Sequence, residues 1–275
     1  MEDYKERRLK AAQSVILGAI CGDIIGSAYE FHPCKDFNLP LFTPHSRFTD
    51  DTVCTIAIAD AMRSGAPFDQ VMQKWCRKYP RAGYGGHFRL WVIVEEPEPY
   101  NSWGNGSAMR VSSAGAFGRT LEEVLALAKA SAEITHNHPE GIKGAQATAA
   151  AIYLALEGMG KEDIKTVLER MFGYDLSRDY DEIRKYYKFD VSCQGSVPES
   201  IIAFLRSTDY ESAIRLAVSM GGDADTMGAI AGGIAAAYYG GVPENITSRC
   251  MDFLPGEMVE VIGCFNEALE ERYGR

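Results

Sequence analysis

Gly221-Gly222-Asp223-Ala224-Asp225-Thr226 is the stretch on which the reading of this chain turns. It sets three oxygen-bearing side chains immediately before an apolar run, Met227 to Tyr239, whose composition is that of a buried helix. Carboxylates at i and i+2 beside a hydroxyl, after a double glycine that permits close approach, suit a hard cation, because magnesium, manganese and calcium prefer oxygen ligands. A second such stretch lies far upstream. Thr49-Asp50-Asp51-Thr52 stands directly before another apolar run, Val53 to Met62, so the two clusters can face each other across a cleft and hold one or two metals. Taken singly, each cluster reads equally well as a helix cap, since Asp and Thr are favoured N-caps and acids suit a first turn. Together, ahead of two helices that both read as buried, they are harder to explain as caps. An Asp-x-Asp-x-Thr phosphatase loop describes the Asp223 cluster poorly, because the residue four after Asp223 is Met227.

The rest of the chain narrows the field. Its 275 residues, 46% hydrophobic and 24% charged, are ordinary for a globular protein, and one domain spanning 1–275 is expected rather than two small ones. A formal charge of −10 argues against binding driven by a nucleic-acid backbone or an anionic membrane surface. Any phosphate-bearing ligand must then be held by backbone amides, helix N-termini or metals. The seven cysteines are odd in number, scattered and without a Cys-x-x-Cys, which suggests neither a disulfide framework nor a zinc ribbon and fits a reducing cytoplasm. Met1 to Lys10 followed by Val15 to Cys21 resembles a leader superficially. Three acids mixed with four bases in the first ten residues, the bulk of Ile20 before Cys21, and helical spacing onward into Gly22-Asp23 argue against one. The sequence shows no run approaching the ~20 apolar residues of a membrane span.

Helical periodicity dominates, with helices expected at 6–30, 53–62, 67–79, 106–118, 121–134, 140–157, 161–171, 197–206, 210–219, 227–239 and 257–272. Gly18, Gly22 and Gly26 recur at i, i+4, i+8, a poor choice for a free helix but one that admits a neighbouring helix or ligand. Asp23 and Glu30 sit seven apart on nearly one face; Asp23 serves equally as a buried helix-to-helix hydrogen bond or a site residue. Glu30 ends that helix ahead of His32 to Arg47, a Pro-containing segment that reads as a lid or binding loop. Arg89 to Val94 and Tyr186 to Val191 have strand-like composition but no hairpin partner, and 174–190 reads as a surface excursion. The fold class expected is therefore all-α. Pro99 to Ser107 is a glycine-punctuated turn opening a helix, where backbone N–H groups can cradle a phosphate, or equally a plain cap. In Thr135-His136-Asn137-His138-Pro139 the two histidines lack a third partner, so hydrogen bonding or stacking on a ligand is expected over metal binding.

These stretches carry a resemblance. Gly22-Asp23-x-x-Gly26-x-x-x-Glu30, Phe48-Thr49-Asp50-Asp51-Thr52, Ser102 to Val111, Thr135-His136-x-His138-Pro139 and Gly221 to Ile230 resemble, in order, the motifs of the ADP-ribosylglycohydrolase family, which includes the dinitrogenase reductase-activating glycohydrolases. The likeness spans about residues 15 to 240, and Ala82-Gly83-Tyr84-Gly85 and Ser196-Val197-Pro198-Glu199 resemble the compact bacterial branch. Ala224 stands where Thr or Ser is usual and Trp103 where Phe or Tyr is common; neither removes a ligand.

The resemblance implies a single-domain orthogonal helical bundle with a binuclear magnesium or manganese site. By match, the metal ligands are Thr49, Asp50, Asp51, Asp223, Asp225 and Thr226, holding two Mg2+ or Mn2+. It also implies an ADP-ribosyl substrate, either a modified protein side chain or a small adduct, with no nucleic acid and no membrane among its partners. Ser102, Trp103, Gly104, Asn105 and Gly106 would bind it, the loop from Ser102 holding the diphosphate through backbone amides, with His136 and Trp103 on the adenosine side or its ribose. Glu30 would lie near the scissile N- or O-glycosidic bond, and Glu30, Asp50 and Asp225 are the candidate catalytic carboxylates. The acceptor, whether arginine, serine, guanidine or an ester, stays open. The alternatives are an inactive ADP-ribose-binding or crystallin-like structural relative, and a hydrolase of another ribosyl or phosphate ester.

Overall fold

Two helices that touch backbone to backbone organise the molecule, and glycine is what lets them. The structure, a computed structural model, describes residues 2–274. The first half of the chain forms α1 (Glu2–Gly26), α2 (Asp50–Ser64), α3 (Phe68–Lys78), α4 (Gly86–Ile93), α5 (Gly106–Met109), α6 (Ser112–Phe117) and α7 (Leu121–Glu133). The second half forms α8 (Pro139–Leu156), α9 (Lys161–Phe172), α10 (Tyr180–Tyr186), α11 (Cys193–Arg206), α12 (Tyr210–Ser219), α13 (Ala224–Tyr239), α14 (Glu244–Met251) and α15 (Gly256–Tyr273). Among the described residues there is no strand, only an isolated antiparallel bridge between Gly104 and Ser192, so the fold is all-α.

Helices α1 and α13 form the central pair. A Cβ on Gly22 would lie 2.0 Å from the carbonyl oxygen of Gly228, and one on Gly232 would lie 2.3 Å from that of Gly18. The i, i+4 glycines of α1 therefore serve a helix–helix seam rather than a ligand. Residues 224–237 of α13 are buried all round, as are nearly all of α2 from Asp51 to Met62, so both acidic N-termini are planted in the interior. Tyr4–Gly26 is long and apolar enough to cross a membrane by length and composition, which the sequence reading had denied. Because 72% of its apolar window is buried inside the protein, its hydrophobicity is accounted for by the core.

Several elements differ from the sequence expectation for identifiable reasons. α1 stops at Gly26, so Glu30 lies in the turn beyond the helix rather than at its end. The helix expected over 106–118 breaks at Arg110-Val111 into α5 and α6, and α11 starts at Cys193, four residues ahead of the expectation, behind an N-cap at Ser192 whose hydroxyl accepts from Gly195 N. Strand-like composition at 89–94 lies in α4, where Trp91 and Val92 face the core. The 174–190 excursion contains α10 and buries Tyr174 and Tyr180. The segment 32–47 is pinned: Leu39 is buried, Tyr29 Oη donates to Pro40 O at 2.5 Å, and Arg215 donates to Leu39 O at 2.6 Å. The seven cysteines are free.

Candidate functional site

The N-terminal ends of α2 and α13 meet beside the α1–α13 seam, at the floor of a cavity of about 400 Å³. Its floor presents Glu30, Asp50, Asp51, Asp223, Asp225 and Thr226. One carboxylate oxygen each from Glu30, Asp223 and Asp225 lies within 4.8 Å of the others. The structure thus brings both sequence clusters together and adds Glu30 to them. As placed, Glu30 can itself reach a bound cation, which the sequence reading did not foresee.

Asp23 builds this floor from behind. It is fully buried and accepts from Thr49 N at 2.9 Å, Thr49 Oγ1 at 2.7 Å and Thr52 N at 3.1 Å, and from the Thr52 hydroxyl. An acid on α1 therefore caps the N-terminus of α2 and holds Thr49 behind the cavity rather than in its lining, with Thr49 Oγ1 also accepting from Asp51 N at 3.2 Å. Of its two sequence readings, Asp23 fits the helix-to-helix hydrogen bond, made at the foot of the site. Gly83, with φ +121°, comes so close to Asp50 that a Cβ there would lie 2.9 Å from Oδ1.

Charge is the conspicuous feature of the floor. Burial, then repulsion from a neighbouring aspartate, pushes Asp50, Asp51 and Asp225 well above the ordinary carboxylate range. Burial raises Asp223 to about 6, against the hydrogen bond it accepts from Asn105 Nδ2 at 2.8 Å. Burial and Asp225 raise Glu30 to about 8, with the charge of Arg47 acting the other way. Among the described residues Arg47 and Glu30 form no ion pair. Asp51 Oδ2 is buried without a hydrogen-bond partner. An all-oxygen donor set with an orphaned carboxylate oxygen and crowded like charges fits hard divalent cations, which would relieve both.

The walls come from loops. Ser102, Gly104, Asn105, Gly106 and His136 line the cavity, whereas Trp103 is 48% exposed outside the lining. Asn105 does more than offer a backbone amide, since its side chain ties the loop to Asp223. The segment from Tyr186 to Val191, strand-like in composition, finds its partner here: Asn105 N donates to Val191 O at 2.8 Å and, just beyond it, Cys193 N to Trp103 O at 2.9 Å. Phe189 and Val191 of that segment line the cavity, as do Gly83, Gly85 and His87 at the start of α4, Tyr100 and Arg110. None of these was named from the sequence as a site residue, although Tyr100 lies in the Pro99–Ser107 turn and Arg110 and the glycines around Tyr84 lie in motifs of the resemblance; Phe189, Val191 and His87 carried no signal. His138 caps α8, its Nδ1 accepting from Glu140 N at 3.1 Å, so the two histidines do not pair on a metal.

In this all-helical chain, two facing acidic helix N-termini set oxygen donors that suit a hard cation beneath a glycine-punctuated loop whose backbone amides can hold a phosphate. Comparison with known proteins agrees. The family model for ADP-ribosylglycohydrolase matches residues 3–274. The chain is 28% identical to the ADP-ribosylhydrolase ARH3 of Homo sapiens, over 89% of this chain and 90% of that one. It is 26% identical to the ADP-ribosylarginine hydrolase Tri1 of Pseudomonas putida, over 86% of this chain and 72% of that one. A solved structure described as an ADP-ribosylglycohydrolase-related protein complex superposes with a TM-score of 0.73 at 27% identity, covering 98% and 99% of the two chains. The chain belongs to the ADP-ribosylglycohydrolase family, and with it to the glycohydrolases.

Proposed function

We propose that this protein removes ADP-ribose from a modified protein side chain or small adduct by hydrolysing the glycosidic bond at the distal ribose. The observation that carries the reading is the convergence of Glu30, Asp50, Asp51, Asp223 and Asp225 on the floor of one cavity whose wall is the Ser102–Gly106 loop. Those four aspartates, with the hydroxyl of Thr226, would hold two Mg2+ or Mn2+, while Thr49, expected from the sequence as a ligand, is engaged with Asp23 and Asp51 N behind the floor. When bound, the ions supply Lewis acidity and offset the cluster's charge.

The chain's own groups divide the remaining work. The Ser102–Gly106 loop and His136 hold the diphosphate and the adenosine side, which places the distal ribose over the floor. Cleavage at an anomeric carbon passes through a state of oxocarbenium character, which adjacent carboxylates stabilise. Glu30, half-buried at the cavity edge, is placed to give a proton to the departing group or to receive one from the attacking water. Asp50 and Asp225 lie in the same floor as the other candidate carboxylates.

The test is incubation with ADP-ribosyl-arginine and ADP-ribosyl-serine proteins in the presence of Mg2+ or Mn2+, reading released ADP-ribose. Release that disappears with EDTA and returns with metal supports the proposal. Undiminished turnover in excess chelator, or tight ADP-ribose binding with no release from either substrate, overturns it.

A further inference from the structure

His136 is joined, at the cavity wall, to two buried polar side chains that the reading above does not use, Arg110 and Thr135. Arg110 is 1% exposed, and its Nη2 donates to Ser131 O at 2.9 Å and to Thr135 Oγ1 at 2.8 Å. Thr135 is fully buried, and its Oγ1 lies 2.7 Å from Nδ1 of His136. His136 Nε2 faces the loop, since a Cβ on Gly106 would lie 3.1 Å from it and one on Gly104 3.5 Å. Both His136 and Arg110 line the cavity.

Counting protons along these contacts decides their direction. A guanidinium only donates, so Thr135 Oγ1 must accept from Arg110. The hydroxyl has one proton of its own, and Nδ1 of His136 is the acceptor in reach. Were Nδ1 protonated, the threonine proton would be stranded without an acceptor inside a fully buried contact, a costly arrangement. We infer that Arg110 and Thr135 form a one-way relay that fixes His136 as the neutral Nε2–H tautomer, so that its cavity-facing nitrogen is a permanent donor to an acceptor oxygen of the bound ligand. Arg110 and Thr135 are on this account positioning residues, acting through His136. Burial and then the adjacent Arg110 charge push the imidazole well below its ordinary range, which agrees with a ring that stays neutral. Only the identity of the ligand, the ADP-ribose moiety, rests on the proposed function.

The experiment is nitrogen-15 NMR of the ring nitrogens in full-length histidine-labelled protein, with His136 assigned by the loss of its signals in His136→Gln. In wild type without ligand, Nδ1 should resonate in the unprotonated range and Nε2 in the protonated range. Thr135→Val, which keeps the shape and removes the hydroxyl, should give mixed tautomers, and Thr135→Ser should restore the wild-type pattern. A protonated Nδ1 in wild type, or an unaltered tautomer in a folded Thr135→Val, overturns the relay. Adding ADP-ribose should shift Nε2 in wild type, and Thr135→Val should weaken its affinity up to about tenfold, the worth of one hydrogen bond. Binding that leaves Nε2 unmoved overturns the donor role. Absence of any ADP-ribose binding by a protein with the expected tautomer would instead sink the substrate proposal and leave the relay standing.

Discussion

Replacing Asp23 tests whether the site depends on a residue that never lines it. Its carboxylate accepts four hydrogen bonds, two from Thr49 and two from Thr52. Asp23→Ala leaves all four donors buried, and at a minimum of about 1 kcal/mol for each orphan the loss approaches 4 kcal/mol. Part of this is offset, because burial raises the Asp23 pKa and the wild type therefore carries a costly buried charge. A net loss of about 3 kcal/mol is expected. Asp23→Asn can keep its carbonyl oxygen where three of the four bonds are accepted and turns its amide toward the Thr49 hydroxyl, so roughly a quarter of that loss should remain. The same hydrogen bonds orient Thr49 and the first turn of α2, so metal affinity should fall roughly 10- to 100-fold in Asp23→Asn, the usual effect of removing an outer partner of a ligand. Urea unfolding of the metal-free protein and Mn2+ calorimetry measure the two effects separately. Wild-type Mn2+ affinity in a destabilised Asp23→Asn would refute the positioning role, and unchanged stability would show that the four contacts contribute nothing.

Glu30→Gln should keep metal and ADP-ribose binding while lowering kcat by roughly 10²–10⁴ if Glu30 moves a proton, the usual scale of acid–base help; a near-normal kcat leaves the chemistry to the aspartates. Asp225→Asn removes charge from the most crowded point of the floor and should abolish metal occupancy with little change in fold; two metals bound at wild-type affinity would contradict the ligand assignment. Gly22→Ala drives a methyl to 2.0 Å from the Gly228 carbonyl oxygen and 2.8 Å from Ala229 N, rigid backbone on both counts, so a loss of at least about 3 kcal/mol is expected by thermal unfolding. His136 is depressed by burial and Arg110, so the unfolded chain binds a proton that the folded one refuses. Its contribution to stability is complete above the unfolded pKa of about 6.5 and is lost as pH falls below it, so wild type should weaken relative to His136→Gln between about pH 6.5 and 5. Parallel pH profiles for the two proteins would show that the imidazole is not depressed.

How much of this was legible in the sequence follows from the range over which each interaction acts. Helix type and the two acidic N-termini are local: Thr49 and Asp223 each stand four residues before a long apolar run, and short-range spacing suffices to see it. The i, i+4 glycines of α1 announced a close approach, but not that the partner would be Gly228 and Gly232, some two hundred residues on. Glu30 was misjudged by four residues of helix, because α1 ends where Gly26 presses on the Ala224 carbonyl, a tertiary contact that ends no periodicity. The roles of Arg110 and the 186–191 wall were illegible for the same reason. An arginine in an apolar stretch looks like a surface side chain until Ser131 and Thr135 close around it, and a short strand-like run has no meaning until loop 103–105 supplies its single bridge. The carboxylates therefore show where charge must be neutralised, while the groups that orient the ligand come from segments whose roles exist only once the bundle has closed. Mutations in this protein should divide along that line. Changes to Asp50, Asp51, Asp223 or Asp225 act directly on occupancy of the floor, changes to Asp23 act on it through Thr49 and the first turn of α2, and changes to Thr135 or Arg110 act on the direction of His136, leaving occupied but poorly directed sites.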